Sequence, residues 1–243
     1  MAIRTVEFNG AVFDISYQFE GDPSGKKALF LHGWGANKEL MKNSFASKMG
    51  KYSMLFVDLP GFGKSTSSVA LTTNDYYLII NLFLSRLNFA PDLIVAHSFG
   101  GKIATLLDPD LLVLLSSAGI VKTKSLKVKC KILLAKIFKF LGIRSSFLRT
   151  KDAEKLPEHM YQTLKNVVDE DFSAIFGARS KKTAIFWGKN DTATPLVSGE
   201  KIHALIKNSK FFPLDGDHFF FINQSDLIAG EIELAMRSDA FCV

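Results

Sequence analysis

The chain has 243 residues, of which 47% are hydrophobic, and a formal net charge of +6 at pH 7. This hydrophobic content excludes a disordered chain and is enough for the core of one α/β domain of ordinary size. The modest positive charge permits an acidic partner or an anionic substrate but requires neither, and we expect no nucleic-acid partner.

The chain begins with two segments that alternate apolar and polar residues, Ile3–Phe8 and Ala11–Gln18. Between them lies Asn9-Gly10, which suits a type I′ turn because both central positions of that turn need positive φ. The pattern predicts an antiparallel hairpin at the N-terminus.

Short, mostly apolar runs that each end in a loop of Gly, Pro, Asp or Ser predict strands buried on both faces of a sheet. They are Lys27–Leu31, Ser53–Val57, Leu93–Ala96 and Leu111–Ser116, followed by Thr183–Trp187 and Lys210–Leu214. Helical patterns alternate with them: Lys38–Met49, Asn74–Leu87 (with Thr73 or Asn74 as N-cap), Phe99–Leu107, Leu196–Ile206 and Phe219–Met236. This alternation indicates right-handed crossovers and a mostly parallel sheet, with the hairpin as its antiparallel edge.

One long segment, from about Ala118 to Lys182, interrupts this alternation because it is helical in pattern and contains no strand. We predict a helical cap over residues 118–182, inserted into a core domain formed by residues 1–117 and 183–243. Within the cap, Val121–Arg149 holds nine Lys or Arg residues and no Asp or Glu. For its lysine-rich stretch Leu126–Leu141 the simplest interpretation is an amphipathic helix with a solvated face. The alternatives are a docking surface for an acidic carrier protein and contact with an anionic membrane surface.

The cysteines and the apolar runs indicate the cellular compartment of the protein. Cys130 and Cys242 fit neither a metal-binding spacing nor a disulfide framework, which favours a reducing compartment. The segment Met1–Gly10 lacks the apolar core of a signal peptide, and the chain has no run of about 18 apolar residues. We therefore expect a cytoplasmic protein with no integral membrane segment, no metal and no cofactor.

The most informative stretch is Leu93–Gly101, in which an apolar run ends in a serine flanked by small residues and a helical pattern follows at once. It predicts a nucleophile elbow, a strained strand-to-helix turn that holds the hydroxyl of Ser98 clear of the backbone. The residues two before and two after the nucleophile must be small, and Ala96 and Gly100 meet this condition. Alanine replaces the usual glycine at the first of these positions. The alternative is a serine that only caps the helix.

A second motif, His32–Gly35, follows the strand predicted at Lys27–Leu31. In hydrolases with such an elbow, the loop after this strand supplies one donor of the oxyanion hole, and the residue after the nucleophile supplies the other. We assign the hole to the backbone N–H groups of Trp34 and Phe99. His32, Gly33 and Gly35 form the supporting loop, in which glycine lets the backbone approach the substrate closely. An ordinary Gly-rich turn is the alternative.

The remaining members of a catalytic triad are expected after later strands. Asp191 follows Thr183–Trp187, whereas the loop after the preceding strand has no carboxylate before Asp152. His218 follows the last predicted strand. The chain order Ser98, Asp191, His218 is that of α/β hydrolases, and all three residues follow carboxyl ends of predicted parallel strands, where such sheets bind ligands.

Two other features of the sequence could be taken for functional sites. Gly63-Lys64-Ser65 superficially resembles a phosphate loop, but the position five before Gly63 is Asp58 rather than glycine, so a rigid turn is expected. His97 adjoins the nucleophile, and we expect its side chain to point away from Ser98.

Five blocks in order across nearly the whole chain resemble those of the α/β-hydrolase superfamily: His32–Gly35, Asp58–Ser65, His97–Gly101, Trp187–Pro195 and Gly216–Phe219. The resemblance implies a hydrolase with an α/β-hydrolase fold, in a superfamily that includes esterases, thioesterases, lipases, haloperoxidases and C–C bond hydrolases. Dehalogenases and epoxide hydrolases carry Asp where this chain has Ser98, which argues against both.

The chain resembles two subgroups of this superfamily, and each indicates a class of substrate. The His-Gly-Trp-Gly block resembles small carboxylesterases, including pimeloyl-carrier-protein methyl esterases. Glu158–Pro195 is similar to meta-cleavage-product hydrolases, which cleave a C–C bond in 2-hydroxy-6-oxo-dienoates. Those enzymes bind the substrate carboxylate with a cap arginine, for which Arg144, Arg149 and Arg179 are the candidates here, and they commonly have Asn where this chain has His97.

We therefore expect a serine esterase that acts on a small-molecule or carrier-linked acyl ester. A C–C bond hydrolase is the alternative. From a different class of function, a non-catalytic ligand-binding protein on a hydrolase scaffold is the further alternative.

Overall fold

The computed structural model describes residues 1–121 and 156–237, and eight strands of this part form one sheet. The strands are β1 Ala2–Phe8, β2 Ala11–Gly21, β3 Lys27–Leu31, β4 Ser53–Val57, β5 Leu93–His97, β6 Leu111–Leu115, β7 Lys182–Gly188 and β8 Ser209–Leu214. Along the sheet they lie in the order β1-β2-β4-β3-β5-β6-β7-β8. The first two pairings, β1 with β2 and β2 with β4, are antiparallel, and all the others are parallel.

Helices cover both faces of this sheet. They are α1 Lys38–Phe45, α2 Thr73–Arg86, α3 Phe99–Leu107, α4 Glu158–Val167, α5 Ser173–Ala178, α6 Leu196–Leu205 and α7 Ser225–Arg237, with a 3₁₀ turn at Phe220–Ile222. Two apolar clusters form, one on each face: α2 to α6 contribute to the first, and α1, the 3₁₀ turn and α7 to the second. The predicted fold class, a mostly parallel sheet with an antiparallel N-terminal edge, is confirmed.

The N-terminal hairpin has the turn that its sequence predicts. Asn9 and Gly10 have φ values of 50° and 75°, and Phe8 pairs with Ala11 across the turn. Positive φ at both central residues defines the type I′ geometry, whose twist matches that of the flanking strands.

Several helix ends differ from the sequence-based prediction. The first helix, α1, ends at Phe45 rather than at Met49. The N-cap of α2 is Thr72 rather than Thr73 or Asn74, because Thr72 and Asp75 exchange side-chain and backbone hydrogen bonds in a capping box. The predicted closing helix Phe219–Met236 is interrupted: Phe220–Ile222 form a separate 3₁₀ turn, and α7 begins only at Ser225.

The predicted cap falls between β6 and β7, and the structure describes its last part. There α4 and α5 pack against the same apolar cluster as α2 and α3. The lysine-rich stretch Leu126–Leu141 lies outside the described residues, as do Arg144, Arg149, Cys130 and Cys242. None of the helices within residues 1–121 and 156–237 is long and apolar enough to cross a membrane.

Candidate active site

Ser98 occupies a strained turn between β5 and α3. Its φ of 50° and ψ of −114° are unfavourable for a residue with a side chain. Neighbouring backbone groups hold this conformation: the Ser98 N–H donates to the Leu115 carbonyl, and the Ala118 N–H donates to the Ser98 carbonyl, both at 3.0 Å. The side chain of Ser98 makes no capping hydrogen bond to α3. The turn therefore has the geometry expected of an elbow and not that of a simple helix cap.

The small residues around Ser98 are required by close contacts. A Cβ atom on Gly100 would lie 2.6 Å from the His32 carbonyl oxygen, and one on Gly101 would lie 2.1 Å from Ser117 Oγ. Ala96, the position that departs from the usual glycine, is fully buried within β5. The elbow thus tolerates one methyl group on the strand side but none on the helix side.

His218 and Asp191 come together at the same edge of the sheet. Nδ1 of His218 lies 2.7 Å from Oδ2 of Asp191, whose side chain is fully buried. The Thr194 N–H donates to Oδ1 of the same carboxylate at 2.8 Å, and the Thr194 hydroxyl donates to Oδ2 at 2.8 Å. Burial alone would raise the pKa of Asp191, but the hydrogen bonds from His218 and Thr194 outweigh it and lower the pKa to about 2. Asp191 is therefore a carboxylate throughout the physiological pH range.

His97 connects the serine turn to the histidine loop. Its ring is buried and lies 4.6 Å, centre to centre, from the ring of His218. Its Nε2–H donates to the His218 carbonyl at 3.0 Å. Burial lowers the pKa of His97 to about 3, and the nearby His218 adds to this effect, so His97 is neutral near pH 7. A neutral ring with a fixed hydrogen bond is suited to positioning His218.

The loop after β3 packs directly on the serine. A Cβ atom on Gly33 would lie 2.8 Å from His97 Nδ1 and 3.0 Å from Ser98 Cβ. Gly35 has a φ of 74°, which disfavours any residue with a side chain. Glycine is thus required at both positions, at Gly33 by contact and at Gly35 by backbone conformation.

His32 fixes the shape of this loop. Its buried ring accepts the Leu59 N–H at Nε2, at 3.0 Å, and its Nδ1–H donates to the Gly33 carbonyl at 2.7 Å. Burial lowers the pKa of His32 to about 4, which keeps the ring neutral and this tautomer in place. The assigned role of His32 as a supporting residue is consistent with these contacts.

A buried ion pair supports the same loop from behind. The Lys38 ammonium and backbone N–H both donate to the carboxylate of Asp58, at 2.6 and 2.7 Å, and the Lys64 N–H donates to it at 3.0 Å. Burial opposes the charged form of Asp58, but these hydrogen bonds outweigh it and lower its pKa. Residues 58–65 therefore form the rigid turn that the sequence predicts, tied to the start of α1.

Beside Ser98 lies a small cavity of about 140 Å³. Trp34 and Phe99 line it, and their rings meet edge to face at 5.8 Å between centres. Its remaining walls come from Lys102 and Ala118 and from the cap residues Leu164, Val167 and Val168. The two residues assigned to the oxyanion hole therefore border the space next to the nucleophile.

Arg179 lies at the opposite edge of the sheet. It is buried, its Nε donates to the Thr183 hydroxyl at 2.8 Å, and its guanidinium pairs with Asp108. Further hydrogen bonds run to the carbonyls of Pro109 and Lys182, which precede or begin β6 and β7. Arg179 is thus not available as a ligand for a substrate carboxylate, and the other two candidate arginines lie outside the described residues.

Sequence reasoning did not single out Thr194, and it gave His97 no function. A signal for Thr194 existed in the spacing Asp191-x-x-Thr194, since Asp side chains commonly bind backbone N–H groups a few residues later. No comparable signal exists for the contact between His97 and His218, because they are 121 positions apart.

A strained serine turn and an aspartate–histidine pair lie at the carboxyl end of a mostly parallel sheet. This combination is typical of hydrolases of the α/β class. Residues 28–229 match the model of the alpha/beta hydrolase family, and the chain belongs to this family.

The following relatives of the chain are distant in sequence. YugF of Bacillus subtilis, described as an uncharacterized hydrolase, is 22% identical, and the match covers 83% of this chain and 86% of YugF. The enol-lactonase of Burkholderia xenovorans is 15% identical with a TM-score of 0.74, over 97% of this chain and 100% of that one. A thermophilic esterase of Thermogutta terrifontis is 15% identical with a TM-score of 0.73, over 98% of both chains. At this identity the structures establish a shared fold.

Proposed function

We propose that the protein hydrolyses carboxylic esters, with Ser98 as nucleophile, His218 as general base and Asp191 as the acid that orients it. The observation that carries the proposal is the pairing of a strained serine turn with a 2.7 Å contact between His218 and a buried carboxylate. His97 spans the two, since it adjoins the serine and binds the His218 backbone. An esterase and an enol-lactonase among the structures of the same fold are consistent with ester chemistry.

In the proposed reaction, His218 Nε2 takes the proton of the Ser98 hydroxyl as Oγ attacks the ester carbonyl. The N–H groups of Trp34 and Phe99 bind the resulting oxyanion, and each such donor is worth about 3–4 kcal/mol in the transition state. The C–O bond to the alcohol then breaks, and His218 returns the proton to the leaving oxygen.

Water completes the cycle. His218 removes a proton from a water molecule, which attacks the acyl group on Ser98, and the carboxylic acid leaves as Oγ regains its proton. In both halves, Asp191 holds the Nδ1–H of His218 and stabilises the positively charged ring. Because its pKa is about 2, Asp191 remains ionised when the neighbouring histidine becomes charged.

Within the described residues, nothing favours the alternative C–C bond hydrolysis. Its substrate carries a carboxylate, and Arg179, the described candidate to bind it, is already occupied by Asp108 and two backbone carbonyls. We therefore retain esters as the proposed substrates.

Covalent labelling tests the proposal. A fluorophosphonate should label the wild-type protein, and Ser98→Ala should lose both the label and the hydrolysis of p-nitrophenyl esters. Ser24→Ala, which removes an exposed hydroxyl bound to Asp22, is the matched control and should keep both. A folded wild-type protein that takes no label would favour the ligand-binding alternative. Faster turnover of a 2-hydroxy-6-oxo-dienoate than of any ester in a chain-length panel would favour C–C bond hydrolysis.

A further inference from the structure

Lys102 is a buried cation one helical turn after Ser98 on α3. Residues spaced by four share one face of a helix, so its side chain lies on the same side of α3 as the nucleophile. Only 1% of Lys102 is exposed, and it lines the cavity beside Ser98. The proposed reaction does not use this ammonium group.

The ammonium group is bound by the cap. Nζ of Lys102 donates to the carboxylate of Glu170 at 2.7 Å and also to the carbonyl of Val167. The rings of Phe99 and Phe172 flank it, with centres 5.4 and 5.2 Å from Nζ. Burial lowers the pKa of Lys102, and a buried charge of this kind is tolerated only where such partners are fixed in place.

Glu170 is in turn bound by the core. The Thr73 hydroxyl at the start of α2 donates to the same carboxylate oxygen that Lys102 binds. Two core helices, α2 and α3, therefore hold one carboxylate of the segment that follows α4. This ion pair links the core to that segment.

The link fixes the wall of the cavity that faces the nucleophile. Leu164, Val167 and Val168, all on α4 or at its C-cap, form this wall, and Lys102 binds the carbonyl of the second of them. A displacement of α4 away from α3 would deepen the cavity. The cavity is small, about 140 Å³.

We propose that Lys102 is a specificity-determining residue that limits the acyl group of the substrate to a short chain. The inference rests on the proposed ester hydrolysis. The cavity adjoins the nucleophile Ser98, and the proposal places the acyl chain of the substrate in it. The ion pair with Glu170 then sets where the chain must end.

The test measures kcat/KM for p-nitrophenyl acetate, butanoate, hexanoate and octanoate. In the wild type, kcat/KM should fall at least about tenfold from butanoate to octanoate, since methylene groups that do not fit a pocket cost at least this much. In Lys102→Met, which keeps the length of the side chain but not its charge, the fall should shrink to about threefold or less. Glu170→Gln should shift the profile in the same direction.

The control is Lys42→Met, which removes a partly buried lysine that pairs with Glu39 and Gln18 outside the cavity and should leave the profile unchanged. A lower melting temperature in Lys102→Met with the wild-type chain-length profile would show a purely structural role and overturn the inference. Should that variant not fold, Glu170→Gln decides, because its side chain is 29% exposed. A wild-type protein that hydrolyses no ester and takes no fluorophosphonate label would instead refute the proposed function itself.

Discussion

Replacing Asp191 with Asn removes the negative charge that faces His218 and preserves the size of the side chain. The native carboxyl has a pKa of about 2, against an ordinary value of 3.8. At about 1.4 kcal/mol per pH unit, this difference corresponds to roughly 2 kcal/mol of folding free energy from the ionised form. Because the native pKa is depressed, this contribution is complete above about pH 4 and is lost as the pH falls towards 2.

The assay is urea unfolding of the wild type and Asp191→Asn at several pH values between 6 and 2.5, followed by circular dichroism. The wild type should be the more stable at pH 6, and its advantage should shrink by about 2 kcal/mol towards pH 2.5. Asp215→Asn, which removes an exposed partner of Lys189, is the control and should change stability by less than about 0.5 kcal/mol at every pH.

The same variant tests the assigned role of Asp191 in the reaction. Without a carboxylate on Nδ1, His218 loses its fixed tautomer, and kcat should fall by about 10⁴-fold, as in serine proteases. A stability difference that does not vary with pH would refute the electrostatic reasoning. A kcat within about tenfold of the wild type would refute the assignment of Asp191 as the orienting acid.

Three further substitutions test the surroundings of the site. Gly33→Ala places a methyl group 2.8 Å from His97 Nδ1 and 3.0 Å from Ser98 Cβ, so kcat for an ester should fall about 10²-fold with little change in KM; a normal kcat would contradict this. His97→Phe keeps an aromatic ring but loses the hydrogen bond to the His218 carbonyl. The kcat should fall about fivefold, which corresponds to the energy of one hydrogen bond; an unchanged kcat would make His97 a simple core residue. Lys38→Met leaves the Asp58 carboxylate buried without its ammonium partner and should lower the free energy of unfolding, measured in urea, by about 3–5 kcal/mol. The double variant with Asp58→Asn should restore most of this loss, and additive losses would speak against a coupled pair.

The sheet could be predicted from sequence because its central strands are buried on both faces. Such strands must be apolar at nearly every position, and polar loops interrupt the pattern sharply at each end. Two predicted strands, Lys27–Leu31 and Ser53–Val57, accordingly match their observed bounds without a residue of difference. The hairpin was equally predictable, since Asn9-Gly10 satisfies a specific backbone requirement.

Helix ends were less predictable because local hydrogen bonds determine them. The closing helix shows this: Phe219–Ile222 continues the apolar pattern of α7, but the Phe219 N–H binds the Asp217 carboxylate and a separate turn forms. Phe220 and Phe221 of that turn are buried in the second apolar cluster. Packing against the sheet therefore decides the backbone there, and the helical period of the sequence does not reveal it.

Within the site, the sequence could supply the residues but not the contacts between distant segments. Asp191 and His218 are predictable because each must follow a strand, and parallel strands end at one edge. The ion pair between Lys102 and Glu170 joins positions 68 apart and depends on how α4 lies against α3. No periodicity or motif encodes that arrangement, and its members resemble surface charges in the sequence.

This difference has a consequence for how the protein selects its substrate. The side chains proposed to do chemistry follow strands of one hydrogen-bonded sheet. The wall that limits the acyl chain lies on α4, in the segment inserted between β6 and β7, and the Lys102–Glu170 pair ties it to the core. Since an insertion can shift without distorting the sheet, chain-length selectivity can change by substitution at this ion pair while the geometry of Ser98, Asp191 and His218 stays the same.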